Sequence, residues 1–119
     1  MLFRSNLKEN FTSVTPREVL DKVAALPISR WNFKGDATTP HVGPMAQDFY
    51  SAFTLGMDAQ HISMVDADGV AFAAIQGLNQ KADDLEAELK RRAAENAELK
   101  SRLEKLERLV NRKPDGGAK

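Results

Sequence analysis

The sequence has 119 residues, with 17 Lys+Arg against 17 Asp+Glu, no cysteine, 42% hydrophobic and 7% aromatic residues. That length holds one small domain, or a small domain with one long element. The neutral balance offers no basic face to nucleic acid or an anionic membrane, and without Cys there is no disulfide framework, thiolate zinc site or cysteine nucleophile.

No apolar run approaches the ~20 residues that span a bilayer, and Met1-Leu2-Phe3-Arg4-Ser5 does not read as a signal peptide. Split at Asp68/Gly69, the neutral total separates into two objects. Residues 1–68 carry 6 basic and 8 acidic groups with seven of the eight aromatics; residues 69–119 carry 11 basic and 9 acidic groups and one aromatic, Phe72. The second stretch is rich in Ala, Glu, Lys, Leu and Arg, the composition of a long helix or coiled coil.

In chain order, Thr15-Pro16-Arg17-Glu18 predicts a helix start, with Thr15 as cap, Pro16 at the first helical position and Glu18 closing a capping box. Val19, Leu20, Val23 and Leu26 share one face of that helix, which stops before Pro27. Ile28 to Lys34 alternates around Trp31 and Phe33 and predicts a strand. Gly35 to Pro44, with two Gly and two Pro, predicts a loop. Met45, Phe49, Ala52 and Phe53 fall at helical spacing, and that helix should end near Gly56. His61 to Val65 predicts a second short strand. Asp66-Ala67-Asp68-Gly69 predicts a turn whose Asp68 caps the long helix after it. The expected fold is α+β: a small mixed head over residues 1–68, then a coiled-coil helix over 69–113. Pro114 to Lys119 is read as a disordered tail, since Pro114 stops a helix and Gly116-Gly117 prevents another. A head of this size buries only a small core and needs support from elsewhere.

From Ala71 the apolar residues keep an unbroken 3-4 spacing. With Ala71 at d, the a/d positions are Ala71, Ile75, Leu78, Ala82, Leu85, Leu89, Arg92, Asn96, Leu99, Leu103, Leu106 and Val110, and ten of the twelve are apolar. A helix of ~40 residues is ~60 Å long, more than a small head can cover, so the seam requires partner helices. In a parallel in-register coil each g residue faces the e residue five further on in its neighbour. Those pairs are Lys81–Glu86, Glu88–Ala93, Glu95–Lys100 and Arg102–Glu107; three are opposite in sign and none repels. Exposed pairs are worth only ~0.5 kcal/mol each, so they choose orientation more than they add stability. Arg102-Leu103-Glu104-Lys105-Leu106-Glu107 has the Arg-hydrophobic-x-x-hydrophobic-Glu form associated with parallel three-stranded coils. Arg92 and Asn96 are polar seam positions that weaken the coil and penalise slipped registers. A parallel homotrimer is the expected assembly, with a dimer as second reading and a solvated single helix as the third.

Several short motifs occur in order: Leu7-Lys8-Glu9-Asn10-Phe11, Leu26-Pro27-Ile28 leading to Trp31-Asn32-Phe33, Gly43-Pro44-Met45-Ala46-Gln47-Asp48-Phe49, Val65-Asp66-Ala67-Asp68-Gly69-Val70, and Ala74-Ile75-Gln76-Gly77-Leu78. Over roughly residues 3–80 the chain resembles the C-terminal intramolecular chaperone domain of phage tail fibres, tailspikes and endosialidases. Related domains occur in bacterial tail-fibre-domain proteins and in the myelin regulatory factor. The resemblance implies trimerisation through a C-terminal helical bundle that holds an upstream fibre, tailspike or adhesin segment in register during assembly. It also implies a place in a virion tail fibre or phage-derived surface fibre, assembled in the cytoplasm. Asn10, Trp31, Gly43, Gln47, Asp66 and Gly69 are the structural motif positions.

Many members of that family release themselves with a Ser at the scission point and a Lys five residues later, in a Ser-Asp-x-x-x-Lys pattern; a neutral Lys in a buried setting can serve as the base. Lys8 matches the Lys position. Five residues earlier stands Phe3, and Arg4 occupies the Asp position, so the chain departs from the cleaving pattern. Ser5 is the only hydroxyl before Lys8, three residues away, and in an extended segment the two would face opposite sides. At most the chain is expected to be a single-turnover self-cleaving peptidase. The competing readings are an active autoprotease and a plain oligomerising module.

Elsewhere, Asp66-Ala67-Asp68-Gly69 lacks the remaining ligands of a calcium loop, and His41 and His61 have no partners at metal-ligand spacing. Trp31, Phe33, Phe49, Tyr50 and Phe53 are read as core and subunit contacts, Gly43 as allowing close backbone approach, and Gln47 as satisfying buried backbone groups. No cofactor or metal is expected, and neither nucleic acid nor membrane is an expected partner.

Overall fold

The computed structural model describes residues 4–112. Phe3, where the resemblance would expect a nucleophile, and the expected tail from Pro114 lie outside the described residues. The chain divides into two compact units, Met1–Lys81 and Ala82–Lys119.

The first unit opens with a 3-10 turn, Ser5–Leu7, in which the Lys8 N–H donates to the Ser5 carbonyl at 3.1 Å. Asn10 comes next with φ +57°, the left-handed region that Asn tolerates better than other side chains. Helix α1 is Pro16–Ala25. Thr15 precedes it in extended conformation, and Pro16 takes the first helical position, where its missing N–H is no loss. The capping box does not form: Thr15 makes no side-chain cap bond, and its carbonyl instead accepts from the N–H groups of Glu18 and Val19, both at 3.1 Å. The face predicted to pack does so, with Val19, Leu20, Val23 and Leu26 half-buried.

Strand β1, Ser29–Trp31, is shorter than the alternation from Ile28 to Lys34 suggests, and it pairs antiparallel with β2, His41–Gly43. The second strand lies inside the expected loop. Three residues between Pro40 and Pro44 are too few to show a period-2 pattern, and a two-stranded ribbon has only edges, where Pro is tolerated. The register sets Ser29 opposite Gly43, Arg30 opposite Val42 and Trp31 opposite His41. Between the strands the chain reverses with Asp36 N–H donating to the Phe33 carbonyl at 3.0 Å and Gly35 at φ +92°.

Helix α2, Ala46–Phe53, ends with Thr54 in the left-handed region, its N–H donating to the Tyr50 carbonyl at 2.8 Å. Phe49 is the most buried side chain described, 3% exposed, and its ring lies 5.0 Å from that of Phe53.

Two expectations fail at the start of the long helix. His61 to Val65 is not a strand, since neither β1 nor β2 pairs with it. Helix α3 begins at Met64 and runs without a break to Asn111, 48 residues. Asp66 to Gly69 is therefore helical, and Asp68 caps nothing. The first helical bond joins the Ala67 N–H to the Ser63 carbonyl at 2.9 Å. Asp66 sits in the first turn, where the helix dipole favours an acid. Gly69 lies in the helix with open space where a Cβ would be. Its intrinsic cost of ~1 kcal/mol is offset by packing further along, where Val70, Ala74 and Gly77 turn one face of α3 inward. Together with Phe49, Val70 and Ala74 make up the whole buried apolar core of the described residues.

The loop before α3 is held by Asp58, whose carboxylate accepts from the Gln60 N–H at 2.8 Å, the His61 N–H at 3.1 Å and the His61 ring at 2.9 Å. The His61 side chain and then the Gln60 backbone hold the Asp58 pKa below the usual carboxylate range. A depressed folded pKa contributes stability above the unfolded value of ~3.9 that is lost as pH falls through the folded one. Asp58→Asn is accordingly expected to be less stable than the parent at pH 6 and equal to it below the folded pKa, measured by urea unfolding at both ends. An equal difference at both ends would rule out this turn as a titrating element.

In the second unit every residue of α3 from Ala82 onward is exposed except the half-buried Glu88. Ion pairs run along the helix surface: Lys90–Glu86 at 3.7 Å, Arg91–Glu88 at 3.8 Å and Arg92–Glu88 at 2.9 Å.

Candidate functional site

Apolar residues at a and d of a 3.5-residue repeat form a single stripe along a helix. Ile75, Leu78, Leu85, Leu89, Leu99, Leu103, Leu106 and Val110 all lie on α3 and are all 50% exposed or more. The faces are distinct. Val70, Ala74 and Gly77 serve the chain's own head, whereas Ala71, Ile75, Leu78 and Ala82, offset by one residue, are exposed. A stripe of this length on a single chain is far larger than the scattered exposed apolar residues of ordinary monomers.

Arg92 and Asn96 interrupt the stripe. The Arg92 guanidinium donates to one Glu88 carboxylate oxygen from Nε at 3.1 Å and Nη2 at 2.9 Å. Arg92 thus carries its counter-ion on its own helix, so a seam made with other copies would receive a neutralised group rather than a bare cation. Of the residues assigned to inter-chain pairs, Glu86 contacts Lys90 of its own helix. Lys81, Glu95, Lys100, Arg102 and Glu107 are exposed on α3.

The amino-terminal pair does not assemble into a buried site. Ser5 and Lys8 are both exposed, whereas a lysine base depends on desolvation. The segment is also not extended: the 3-10 turn changes the expected opposition of the two residues, because positions three apart eclipse in such a turn.

Among the motif residues, Asn10 has a backbone reason, its positive φ. Trp31 stacks on His41 across the strands, centroids 4.9 Å apart at 29°, and meets Phe33 edge-on at 4.9 Å. Its Nε1 is buried without a hydrogen-bond partner among the described residues. Phe33 is 62% exposed and is surface in the single chain, not core. Gly43 is not needed for close approach, since a Cβ there would stand 4.0 Å from Trp31 Nε1, ordinary contact. Gln47 is exposed on the first turn of α2. Asp66 and Gly69 are helical rather than turn residues.

The glycine that matters was not singled out from the sequence. A Cβ on Gly77 would collide with the Pro16 carbonyl oxygen and lie 2.7 Å from its carbon and 3.0 Å from Leu20 Cβ. Gly77 is therefore where α1 crosses α3 at backbone distance.

A groove of about 490 Å³ in the head has Val14, Val19, Phe53 and Leu55 facing Val65 and Val70. No group of three metal-capable side chains occurs among the described residues, and no described helix is long and apolar enough to cross a membrane.

Residues 5–56 match the model of the family described as chaperone of endosialidase. The likeness covers 52 of the 119 residues, less than half of the chain, and supports a chaperone role. It takes in α1, both strands and α2 but stops before α3. No curated protein matches the chain.

Proposed function

We propose that the chain is a C-terminal intramolecular chaperone and trimerisation module, which nucleates assembly of an upstream tail fibre, tailspike or adhesin segment of the same chain. The observation that carries this reading is the exposed a/d stripe of α3, attached to a head of the chaperone family. Burying one Leu side chain contributes roughly 1.5–3 kcal/mol. The described chain buries only Phe49, Val70 and Ala74 among its hydrophobic residues, so association supplies the apolar burial that the head cannot. Three parallel helices put the opposite charges of Lys81–Glu86, Glu95–Lys100 and Arg102–Glu107 between chains. Upstream segments entering such a bundle start in register and at high effective concentration, which lowers the entropic barrier to winding them together.

The reading is tested by refolding an upstream fibre segment with and without residues 1–112. A large excess of trimer is expected when the module is attached; equal yields would sink the chaperone role. Asn96→Leu is expected to raise the thermal midpoint while loosening register or stoichiometry, because Asn96 is one of the two polar positions in the a/d stripe. An unchanged midpoint would count against the heptad assignment.

Self-release is not part of this reading, since Phe3 stands at the nucleophile position and Lys8 is exposed. Mass spectrometry of a longer chain would overturn that view if it found a cut before residue 3 or 5 that Lys8→Ala abolishes.

A further inference from the structure

The seam is only one of the surfaces that α3 presents to another copy. In the heptad frame Phe72 occupies an e position, beside the seam, and is 68% exposed. It is the one aromatic side chain of the sequence after residue 68. The opposite flank of the same helix segment carries the g positions Ala67 and Ala74. There the chain's own head closes over α3: Ala74 is 7% exposed, Val70 and Gly77 next to it are also buried, and Pro16 and Leu20 of α1 lie against Gly77. Thus one flank of each helix is covered by a head while the other holds an uncovered Phe.

Parallel pairing brings these two flanks together, because an e residue faces the neighbour's g residue five positions earlier. Phe72 of one copy is then level with the half-buried Ala67 of the next, whose methyl side chain leaves depth for a ring beside the head that covers Ala74. The charge complementarity of Lys81–Glu86, Glu95–Lys100 and Arg102–Glu107 selects this parallel, in-register direction.

We infer that Phe72 is an inter-subunit anchor that packs against α1 of the adjoining copy's head, so each head is clasped between its own helix and its neighbour's. The partner is a second copy of this chain, and the inference rests on the parallel-coil reading above. Head folding and assembly then become linked: a head gains its second wall only when the next helix arrives.

The test places a photo-reactive side chain, Phe72→benzoylphenylalanine, in full-length chains mixed from unlabelled and ¹⁵N-labelled stocks. After irradiation, mass spectrometry is expected to find mixed-isotope peptides joining position 72 to residues 15–26. Cross-links only within one chain, or none to α1, in a sample that sediments as an oligomer would overturn the anchor while leaving the coil intact. A one-chain mass would overturn the coil and the anchor together. Because the bulky probe itself could unseat the head, Phe72→Ser is read separately by hydrogen exchange. Exchange in α1 about tenfold faster at unchanged oligomer mass is expected; unchanged exchange in α1 would refute the clasp.

Discussion

Leu103→Asp is expected to break the assembly into single chains. Leu103 lies at an a position, in the all-apolar stretch Leu99, Leu103, Leu106, Val110, and is 56% exposed on the single chain. In a parallel trimer the substitution removes three Leu side chains from one layer, each worth roughly 1.5–3 kcal/mol, and sets three carboxylates around the axis. Each buried ion carries a further penalty of several kcal/mol with no counter-ion available in that layer. Together these losses reach or exceed the whole net stability of a typical fold, about 5–15 kcal/mol. The far-UV helix signal should also fall, because an unpartnered polar helix is marginal in water. Ser101→Asp, at the outward-facing f position, adds the same charge and should change neither mass nor helix content. A Leu103→Asp variant that kept the parent mass would refute the a assignment.

Gly77→Ala is the second large effect, and its sign opposes helix propensity. An Ala within an exposed helix is favoured over Gly by ~1 kcal/mol. Here the added methyl meets the Pro16 carbonyl, which belongs to the backbone and cannot turn aside, and crowds Leu20 Cβ at 3.0 Å. The start of α1 must move away from α3, and overpacking of this kind costs about 1–3 kcal/mol. The head midpoint should therefore fall by about 4–8 °C for each kcal/mol lost, measured at fixed chain concentration because assembly contributes to it. A midpoint above the parent's would show that the two helices do not cross at Gly77.

The parts of the fold legible in the sequence were those whose signal repeats. Helix α1 showed itself by Pro16 and by Val19, Leu20, Val23 and Leu26 on one face, and α3 by heptads that run beyond thirty residues. The failures lie where the signal is short or ambiguous. Strand β2 has three residues and declares itself only through its pairing with Ser29–Trp31. Asp66-Ala67-Asp68-Gly69 carries good turn chemistry, but Asp is also favoured in the first turn of a helix. The packing of Val70, Ala74 and Gly77 decides between the two, and that packing is tertiary. The exposed a/d stripe could be read residue by residue because it is a property of one helix; its use as a seam is the proposal above. The Pro16–Gly77 crossing could not, since it joins residues sixty-one positions apart.

Neutral charge at first only removed nucleic acid and anionic membranes from the possible partners. By position, it places opposite charges beside an apolar stripe, which is why other copies of the chain are the partner proposed. Sedimentation equilibrium of the full chain tests this most directly. A mass of three times the 13.2 kDa chain is expected; the mass of one chain would contradict the seam, and that of two would contradict the trimer.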